Sequence, residues 1–432
     1  MLLPDATLAL LRRPYDTLPA LRREQGGSAE VRLLGERALV VGGADGARLF
    51  YDDSRMRRAG AVPTPLQRTL FGDGPVHVLD DEMHRQRKEM FVRAVADPVA
   101  VTELAETADQ AWARAAVRWV GAPRVVVFDE AVAVLTDAVC RWAGVPLTPG
   151  EAPRRAHDLA AVVDGFGSVG TAHVRARRAR RRLERWAGDV VRAARDRRLH
   201  PPEGSVLAAV TTHRDADGGL LDESTAAVEL LNVLRPTVAV AWFVVAGAVA
   251  LHEHPAWRAP AAQGDPAVLE ALAHEVRRTH PFVPALAARA RTRFSWQDPA
   301  GRSRTVHAGQ LVVLDVEGTD HDPDRFAAPE SFDPGRWLDD AGRFVGPDPF
   351  SYVPQGGGDV SSGHRCPGER ATVALIAGAL RVLSALSYEL SEQDLRVDRT
   401  RLPTRPASGV VLTDVGVDLR EGASQQRRTV WP

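Results

Sequence analysis

Residues 350–370 read FSYVPQGGGDVSSGHRCPGER and bring a glycine-rich loop to a single cysteine, Cys366. A run of three glycines would let the backbone approach something flat and bulky. The cysteine stands just before an apolar helical stretch, and the N–H groups and dipole of a helix N-terminus lower the pKa of a thiol. A ligating thiolate is therefore one interpretation, and a small buried thiol in a turn is the other.

The number of cysteines limits what Cys366 could bind. The chain contains only one other cysteine, Cys140, and the two are far apart in the sequence. Zinc and iron–sulfur centres require more thiolates than these two supply, whereas an axial thiolate ligand to haem iron requires only one. So few cysteines also argue against a disulfide framework and fit a reducing compartment, so we expect a cytoplasmic protein.

Arg235 begins the second stretch that could carry chemistry. VLRPTVAV, residues 233–240, opens an almost unbroken apolar run that ends at Leu251. A guanidinium in such a place is unfavourable unless an anion pairs with it. The adjacent Pro236 predicts a kink or a disturbed hydrogen-bond ladder in a long helix. A kink with a surface arginine would explain Pro236 alone, but not an arginine beside a deep apolar helix.

A third pattern is the pair Glu275 and Arg278, which stand three residues apart and so share one face of a predicted helix. An ordinary surface ion pair is the alternative interpretation. Downstream, the segment ESFDPGRW carries Phe332, Pro334 and Arg336 ahead of the cysteine loop.

The elements that must position these residues are mostly helical. Helical patterns cover residues 174–198, 224–255 and 265–281, and Ser224 is a plausible cap of the second. The first is strongly basic, which favours a solvated face. Short β candidates lie in RLLGERALVVGG, RTRFSW, QLVVLDV and GVVLTDV. Because the strand and helix patterns do not alternate in βαβα order, we predict a mainly α fold with small β-sheets.

Composition narrows the class of protein further. The 432 residues are 44% hydrophobic with a formal charge of −1, which indicates a globular protein. This balance gives no electrostatic case for nucleic acid or an anionic membrane as a partner. The opening MLLPDATLALLRRPYD is too broken for a signal peptide, and the run from Val238 to Leu251 is too short to span a bilayer. We therefore expect no stable membrane anchor.

Together these motifs resemble the cytochrome P450 family: a Glu-x-x-Arg pair, a Phe-x-Pro-x-Arg-Trp segment, and a cysteine loop with Phe350, His364 and Gly368. Their order and separations match along nearly the whole chain. The resemblance implies the P450 fold as a single domain over residues 1–432, with haem b between the long central helix and the cysteine loop. It makes Cys366 the iron ligand and gives structural roles to Glu275, Arg278 and Arg336.

One departure points to a branch of this family. A typical member has an acid–alcohol pair in its central helix, where this chain has Arg235-Pro236-Thr237. This stretch, the loop PQGGGDVSSGHRCPGE and FGDGPVHVLDDEMHRQRKEMF (residues 71–91) resemble the fatty-acid peroxygenases. Those enzymes use H₂O₂ to hydroxylate long-chain fatty acids at the α or β carbon, or to decarboxylate them to terminal alkenes. A redox protein partner would then not be required.

Three alternatives stay open, of which a structural protein without a cofactor is the third. The first is a conventional P450 monooxygenase that uses O₂, NAD(P)H and a ferredoxin partner, against which the missing acid–alcohol pair argues. The second is a haem-binding sensor or carrier without turnover. In such a protein a buried charge suited to a carboxylate would have no catalytic use.

The resemblance assigns four residues to the reaction. Arg235 would hold the substrate carboxylate in a bidentate pair, and that carboxylate would serve as the general acid–base for H₂O₂. Pro236 would break the helix where peroxide must fit. His77 would lie over the haem beside the reacting carbons, where a histidine favours decarboxylation alongside hydroxylation, and Phe71 would pack near the carboxylate. A loop histidine without a role is the alternative for His77.

The haem propionates need cations, and the resemblance implies Arg58, His84 and Lys88, with Arg365 as an addition. Lys88 is the only lysine among 55 basic residues. Either a biased base composition converted every other basic site to arginine, or this site requires a compact ammonium.

The resemblance also implies a substrate tunnel lined by Val169, Phe282 and Val283. Plain core packing is the alternative for each of these three residues.

Overall fold

The computed structural model describes residues 3–417, and within this range the protein is mainly α-helical with small β-sheets, as predicted. The helices are α1 (Thr7–Arg12), α2 (Thr17–Glu24), α3 (Gly43–Phe50), α4 (Thr64–Leu70), α5 (Asp81–Phe91), α6 (Pro98–Trp119), α7 (Val127–Trp142), α8 (Ala152–Gly165), α9 (Thr171–Arg195), α10 (Val206–Thr212), α11 (Glu223–Glu253), α12 (Arg258–Ala262), α13 (Pro266–Thr279), α14 (Val316–Asp320) and α15 (Glu369–Ala385). The strands are β1 (Ala29–Leu33), β2 (Glu36–Val41), β3 (Met56–Arg57), β4 (Val125–Val126), β5 (Ala285–Ala290), β6 (Phe294–Gln297), β7 (Ser303–Val306), β8 (Leu311–Asp315), β9 (Leu386–Leu390) and β10 (Val411–Val417).

Helix α11 runs through the centre of the core, packed against α7, α8, α9 and α15. It is the one helix in residues 3–417 that is long and apolar enough to cross a membrane, but 89% of its apolar window is buried inside the protein. Its N-cap is Asp222 rather than the predicted Ser224, because the Asp222 carboxylate accepts the backbone N–H of Thr225 at 2.9 Å. Asp222 also accepts the Ser224 hydroxyl, so that side chain supports the cap from inside the helix.

Pro236 lies inside α11, yet the helix continues through it, so the prediction that Pro236 breaks the helix is wrong. A proline removes only its own N–H from the hydrogen-bond ladder. In α11 the carbonyl of Asn232 therefore lacks its usual N–H partner in the helix, and other elements pack around the helix. Because packing stabilises a buried helix more than any one hydrogen bond does, α11 stays helical on both sides of Pro236 and carries Arg235 within a continuous helix.

Three small sheets flank the helices. The five-stranded sheet has the order β1-β2-β8-β5-β3, in which β2 and β8 are parallel and the other pairs are antiparallel. Strands β4, β10 and β9 form a second sheet, and β6 pairs with β7. In the first sheet, β5 follows Phe282 and Val283 directly, and Val316 follows β8. This sheet therefore positions part of the cavity wall described below.

Glu275 and Arg278 of α13 form a fully buried ion pair, so the alternative of a surface pair is wrong. Two hydrogen bonds of 2.9 and 2.7 Å join the guanidinium to the carboxylate. The same carboxylate accepts Arg336 Nε at 3.2 Å and Trp337 Nε1 at 2.9 Å. Arg278 in turn donates to the carbonyl of Ser331 at 2.9 Å. This network fastens the segment before the cysteine loop to α13.

We expect Glu275→Ala to lower the free energy of unfolding by about 3–5 kcal/mol, because it leaves the Arg278 charge buried without a counter-charge. Urea unfolding of the two proteins measures the difference. The matched control is Glu89→Ala, which removes the exposed partner of Arg93 on α5 and should cost less than about 1 kcal/mol. Equal losses in the two variants would contradict the structural role of the buried pair.

Candidate active site

A buried cavity lies between α11, α5, the start of α15 and the cysteine loop. Arg235 and Pro236 line it from α11, and Cys366 lines it from the loop. Phe71 and His77, from the segment before α5, line it as well. The structure thus brings the central helix, the cysteine loop and the segment before α5 together around one space, while Glu275, Arg278 and Arg336 lie outside its lining.

Cys366 lies three residues before α15, as predicted, but its environment differs from the expectation of a lowered pKa. Burial raises the pKa of the Cys366 thiol, and the Lys88 ammonium and the N–H of Gly368 offset this only in part. Gln355 Nε2 lies 3.7 Å from Sγ. No group of three or more His, Cys, Asp or Glu side chains in residues 3–417 could hold a metal ion by itself. Cys366 lines the cavity, so it could serve as the single protein ligand of a larger group bound there.

The glycine run packs closely against its own surroundings, and the predicted approach of its backbone to a flat group stays a prediction. A Cβ built on Gly356 would lie 2.8 Å from the Tyr51 hydroxyl, and one on Gly357 would lie 2.7 Å from the carbonyl of Pro349. The backbone of Gly356 also adopts φ +98°, which other residues rarely do. These glycines let the loop pack against its own surroundings, and only Gly356 of the three lines the cavity.

Buried cations and N–H groups gather on the α5 side of the cavity. His84 and His364 stack with ring centroids 3.8 Å apart, and Lys88 lies beside them on the cavity wall. Burial lowers the pKa of Lys88 to about 8 and that of His84 to about 3. Arg58 does not itself line the cavity, but it packs on the ring of Tyr51, which does, and its Nη1 has no hydrogen-bond partner among the described residues.

This cluster fits the carboxylate arms of a haem. Arg58, His84 and Lys88 are buried and form no salt bridge within residues 3–417. Arg58 Nη1 has no acceptor there and Lys88 donates only to the backbone carbonyl of Arg365, and buried donors without a matching acceptor are unfavourable. Two propionates would supply the missing acceptors, and Cys366 in the same cavity would supply the axial ligand. Arg365 also lines the cavity, but it differs from the other three because its Nε pairs with Glu369 at 2.7 Å.

Arg235 faces the cavity from α11 and is 5% exposed. Its Nη2 donates to Asn232 Oδ1 at 3.3 Å, while its Nε has no partner among the described residues. Burial lowers the pKa of Arg235 to about 9, and the positive charge of Arg180 adds to this effect. At neutral pH the guanidinium is still charged, so the site offers a fixed cation with free donors.

Phe71 and His77 form the wall beside Arg235. Their rings stack with centroids 4.3 Å apart, and the Arg235 guanidinium lies 5.5 Å from the Phe71 ring. Burial, together with the charge of Arg235, places the pKa of His77 well below its usual value. His77 is therefore a neutral imidazole at pH 7, with one N–H donor and one acceptor nitrogen.

The tunnel residues separate into two groups. Phe282 and Val283 line the cavity, but Val169 does not and is 80% exposed. The prediction for Val169 is wrong because it lies in the turn between α8 and α9, where Ser168 bonds back to Gly165 and Gly170 takes φ +70°. Phe166, three residues earlier, is the buried member of this turn, and its ring stacks 6.5 Å from that of Phe282.

Sequence reasoning missed a buried polar chain that begins at Arg235. Asn232 Nδ2 donates to Glu229 at 3.0 Å, and Glu229 accepts Arg87 Nη1 at 3.2 Å. Glu229, Asn232 and Arg235 are spaced by three residues on one face of α11, so their periodicity in an otherwise apolar helix was the available signal. Tyr51 and His364 were also missed as members of the cation cluster.

Comparison with known proteins shows which family the chain resembles. The sequence model of the cytochrome P450 family matches residues 265–414. Steroid 17-alpha-hydroxylase/17,20 lyase from Squalus acanthias is 31% identical over 96 residues, which cover 22% of this chain and 18% of that protein. Cytochrome P450 105C1 from Streptomyces sp is 30% identical over 146 residues, 34% of this chain and 36% of that protein. The chain thus matches less than two-fifths of the length of these curated relatives.

Solved structures match over almost the whole chain. Cytochrome P450SP alpha in complex with (R)-ibuprofen is 40% identical and covers 96% of this chain and 99% of that one, with a TM-score of 0.89. Cytochrome P450EX alpha with myristic acid is 35% identical, over 97% and 100% of the two chains, with a TM-score of 0.89. Ligand-free cytochrome P450 OleT is 31% identical, over 96% and 98%, also with a TM-score of 0.89.

Proposed function

Because the chain belongs to the cytochrome P450 family, we propose that it is a haem-thiolate peroxygenase that uses H₂O₂ to oxidise long-chain fatty acids at the α or β carbon. The products would be hydroxy acids, terminal alkenes or both. The observation that carries the proposal is Arg235, a buried guanidinium without a carboxylate partner in residues 3–417, in the cavity that also contains Cys366. The myristic acid in the similar P450EX alpha structure supports a fatty acid as the ligand.

Haem is the prosthetic group of the family, and when bound it would supply the activation of peroxide and the oxidation of the substrate C–H bond. Cys366 would ligate its iron, and Arg58, His84 and Lys88 would bind its propionates. Tyr51 and His364 lie on the same part of the wall and offer further donors.

Arg235 would bind and orient the substrate. A guanidinium meets a carboxylate through two parallel hydrogen bonds, so the head group is held in one orientation. With the carboxylate fixed, the α and β carbons are the first carbons that the cavity presents for reaction, and anchoring sets the position of oxidation. The bound carboxylate then stands where most family members have a side-chain acid. It would move a proton between the two oxygens of H₂O₂ as a general acid–base.

The helix beside Arg235 argues against the conventional monooxygenase. Thr237 is the only hydroxyl at this point, and it donates to the carbonyl of Val233 at 2.9 Å. Its proton is therefore engaged with the helix backbone, and no carboxylic acid stands next to it in the sequence. A ferredoxin partner is accordingly not part of the proposal. Both cysteines are free thiols and the apolar helix is buried, so we place the protein in the cytoplasm.

Product analysis tests the proposal. The haem-loaded protein is mixed with a saturated long-chain acid and H₂O₂ in the absence of a reductant, and the products are identified by gas chromatography–mass spectrometry. We expect hydroxy acid or terminal alkene. Turnover only with NADPH and a ferredoxin system would overturn the proposal in favour of a monooxygenase. A fatty-acid-induced spectral change without peroxide consumption would overturn it in favour of a sensor.

Fatty-acid affinity should depend on pH through Arg235. Burial lowers the pKa of this guanidinium to about 9, and a bound carboxylate favours the protonated form, so binding takes up a proton above pH 9. We expect the dissociation constant to be constant between pH 7 and about pH 8.5 and to rise roughly tenfold per pH unit above about pH 9. Optical titration at several pH values measures this. Unchanged affinity up to pH 10.5, in protein shown to be folded, would contradict the assignment.

His77 should influence which product forms. A neutral imidazole beside the carboxylate can accept or donate a proton, whereas a glutamine amide cannot take part in proton transfer at neutral pH. We expect His77→Gln to lower the share of terminal alkene while total turnover stays within about tenfold of wild type. The ratio of alkene to hydroxy acid is the measurement, and His157→Gln, at an exposed position of α8, is the control. An unchanged ratio would remove His77 from this role.

A further inference from the structure

Glu229 is a fully buried carboxylate on α11 that has no part in the mechanism above. It accepts hydrogen bonds from three elements: the N–H of Val76 at 2.8 Å, Arg87 Nη1 at 3.2 Å and Asn232 Nδ2 at 3.0 Å. All three partners are donors, and an ionised carboxylate is the group that accepts from several donors at once. Arg87 supplies the positive counter-charge, which it shares with Asp215 near the surface.

Two of these partners, Val76 and Asn232, lie beside the residues that form the substrate-carboxylate site. Val76 immediately precedes His77 in the short turn formed by residues 76–78. Asn232 lies one helical turn before Arg235, and its Oδ1 accepts Arg235 Nη2 at 3.3 Å. Glu229 itself does not line the cavity within residues 3–417, so it can act on a ligand there only through these neighbours.

The orientation of the Asn232 amide depends on Glu229. The two groups that face Asn232 Nδ2 are the Glu229 carboxylate and the carbonyl of Phe71, at 3.0 and 3.2 Å, and both are acceptors. They hold the NH₂ end of the amide away from Arg235 and so turn its oxygen toward the guanidinium. With the opposite orientation, amide donors would face guanidinium donors, and Arg235 would lose its one fixed contact on α11.

We propose that Glu229 is the positioning residue that fixes Arg235 and the His77 turn relative to each other, and thereby makes the cavity selective for a carboxylate over a neutral head group. This inference rests on the proposed function, because it takes a fatty-acid carboxylate as the ligand of Arg235. The hydrogen bonds of the buried carboxylate connect α11, α5 and the His77 turn. The position of Arg235, which binds the head group, depends on these hydrogen bonds.

The test compares two ligands that differ only in the head group, a saturated long-chain acid and the alcohol of the same length. Their binding to the haem-loaded protein is measured by calorimetric titration. Glu229→Gln keeps the size of the side chain but leaves one acceptor oxygen for three donors. We expect it to weaken binding of the acid at least about tenfold, which corresponds to about 1.4 kcal/mol, and binding of the alcohol less than about twofold.

A second variant and a control complete the experiment. Asn232→Leu removes the link to Arg235 while the contacts of Glu229 with Val76 and Arg87 stay in place, and we expect the same loss of preference for the acid. This variant decides the matter if Glu229→Gln does not fold. Glu223→Gln makes the same chemical change on the same helix, at an exposed ion pair with Arg192, and should leave both affinities unchanged.

Each outcome bears on the inference separately from the proposed function. A loss of acid-over-alcohol preference in the two variants would support it. Equal weakening of acid and alcohol would overturn it, because Glu229 would then serve only the general structure. Unchanged binding of both ligands in a folded variant would also overturn it. If wild-type protein shows no preference for the acid, the failure lies with the proposed function, and the inference falls with it.

Discussion

Replacing Arg235 with leucine should abolish most peroxide-driven oxidation of fatty acids and leave the folded protein at least as stable as wild type. Arg235 is buried, and no carboxylate of residues 3–417 pairs with it, so its charge lowers the stability of the ligand-free protein. The same charge is the proposed partner of the substrate. Removing one partner of a buried charge pair costs about 2–5 kcal/mol, and we expect kcat/KM to fall roughly 10²–10³-fold.

The combination of lost activity and retained stability is what identifies a binding residue. Steady-state kinetics with H₂O₂ and a long-chain acid measure the first, and urea unfolding measures the second. Arg235→Lys keeps the charge but loses the planar fork, so it should fall between wild type and the leucine variant. Arg178→Leu, at an exposed arginine of α9, is the control and should change neither quantity. Full activity in Arg235→Leu would refute carboxylate anchoring by this residue.

The mainly helical fold could be predicted because its signals are local. The apolar run after Arg235 predicted a buried helix over 224–255, and α11 spans Glu223–Glu253. The basic pattern at 174–198 predicted a solvated helical face, and α9 exposes arginines such as Arg175 and Arg178. The predictions that failed concerned features that depend on packing between elements. The resemblance implied that Pro236 breaks the helix, but α11 continues through Pro236, surrounded by other elements.

The candidate site could be predicted in its chemistry but not in all its members. Cys366 and Arg235 stood out because each is of an unusual type for its surroundings, and both line the cavity. Val169 and Arg365 were placed by resemblance alone. In the structure Val169 is exposed to solvent, and Arg365 pairs with Glu369 four residues later in the chain. A resemblance between motifs does not report either of these local environments. The spacing of Glu229 from Asn232 and Arg235 was visible in the sequence, but its contact with Val76 was not, because Val76 lies 153 residues away.

Replacing Cys366 with serine should reduce peroxide-driven turnover to the level of free haem, the second large effect that the structure leads us to expect. A serine hydroxyl has almost the same size as a thiol but is not a thiolate donor, and it cannot push electron density toward the iron. The other contacts of the site would stay, since the N–H of residue 366 bonds to the carbonyl of Gln355 at 3.0 Å and Lys88 bonds to the carbonyl of residue 365. Haem is therefore expected to be retained in part, through its propionates, while activity is lost.

The second cysteine, Cys140, provides a control for the substitution of Cys366. Cys140 is fully buried in α7, away from the cavity, so Cys140→Ser makes the same atomic change in an apolar site. There the buried hydroxyl should cost about 1–3 kcal/mol of stability without changing turnover per bound haem. Haem content, unfolding free energy and product formation, measured on both variants, separate the two effects. Because one variant should lose chemistry and the other stability, a loss of turnover per haem in Cys140→Ser, or its retention in Cys366→Ser, would contradict Cys366 as the iron ligand.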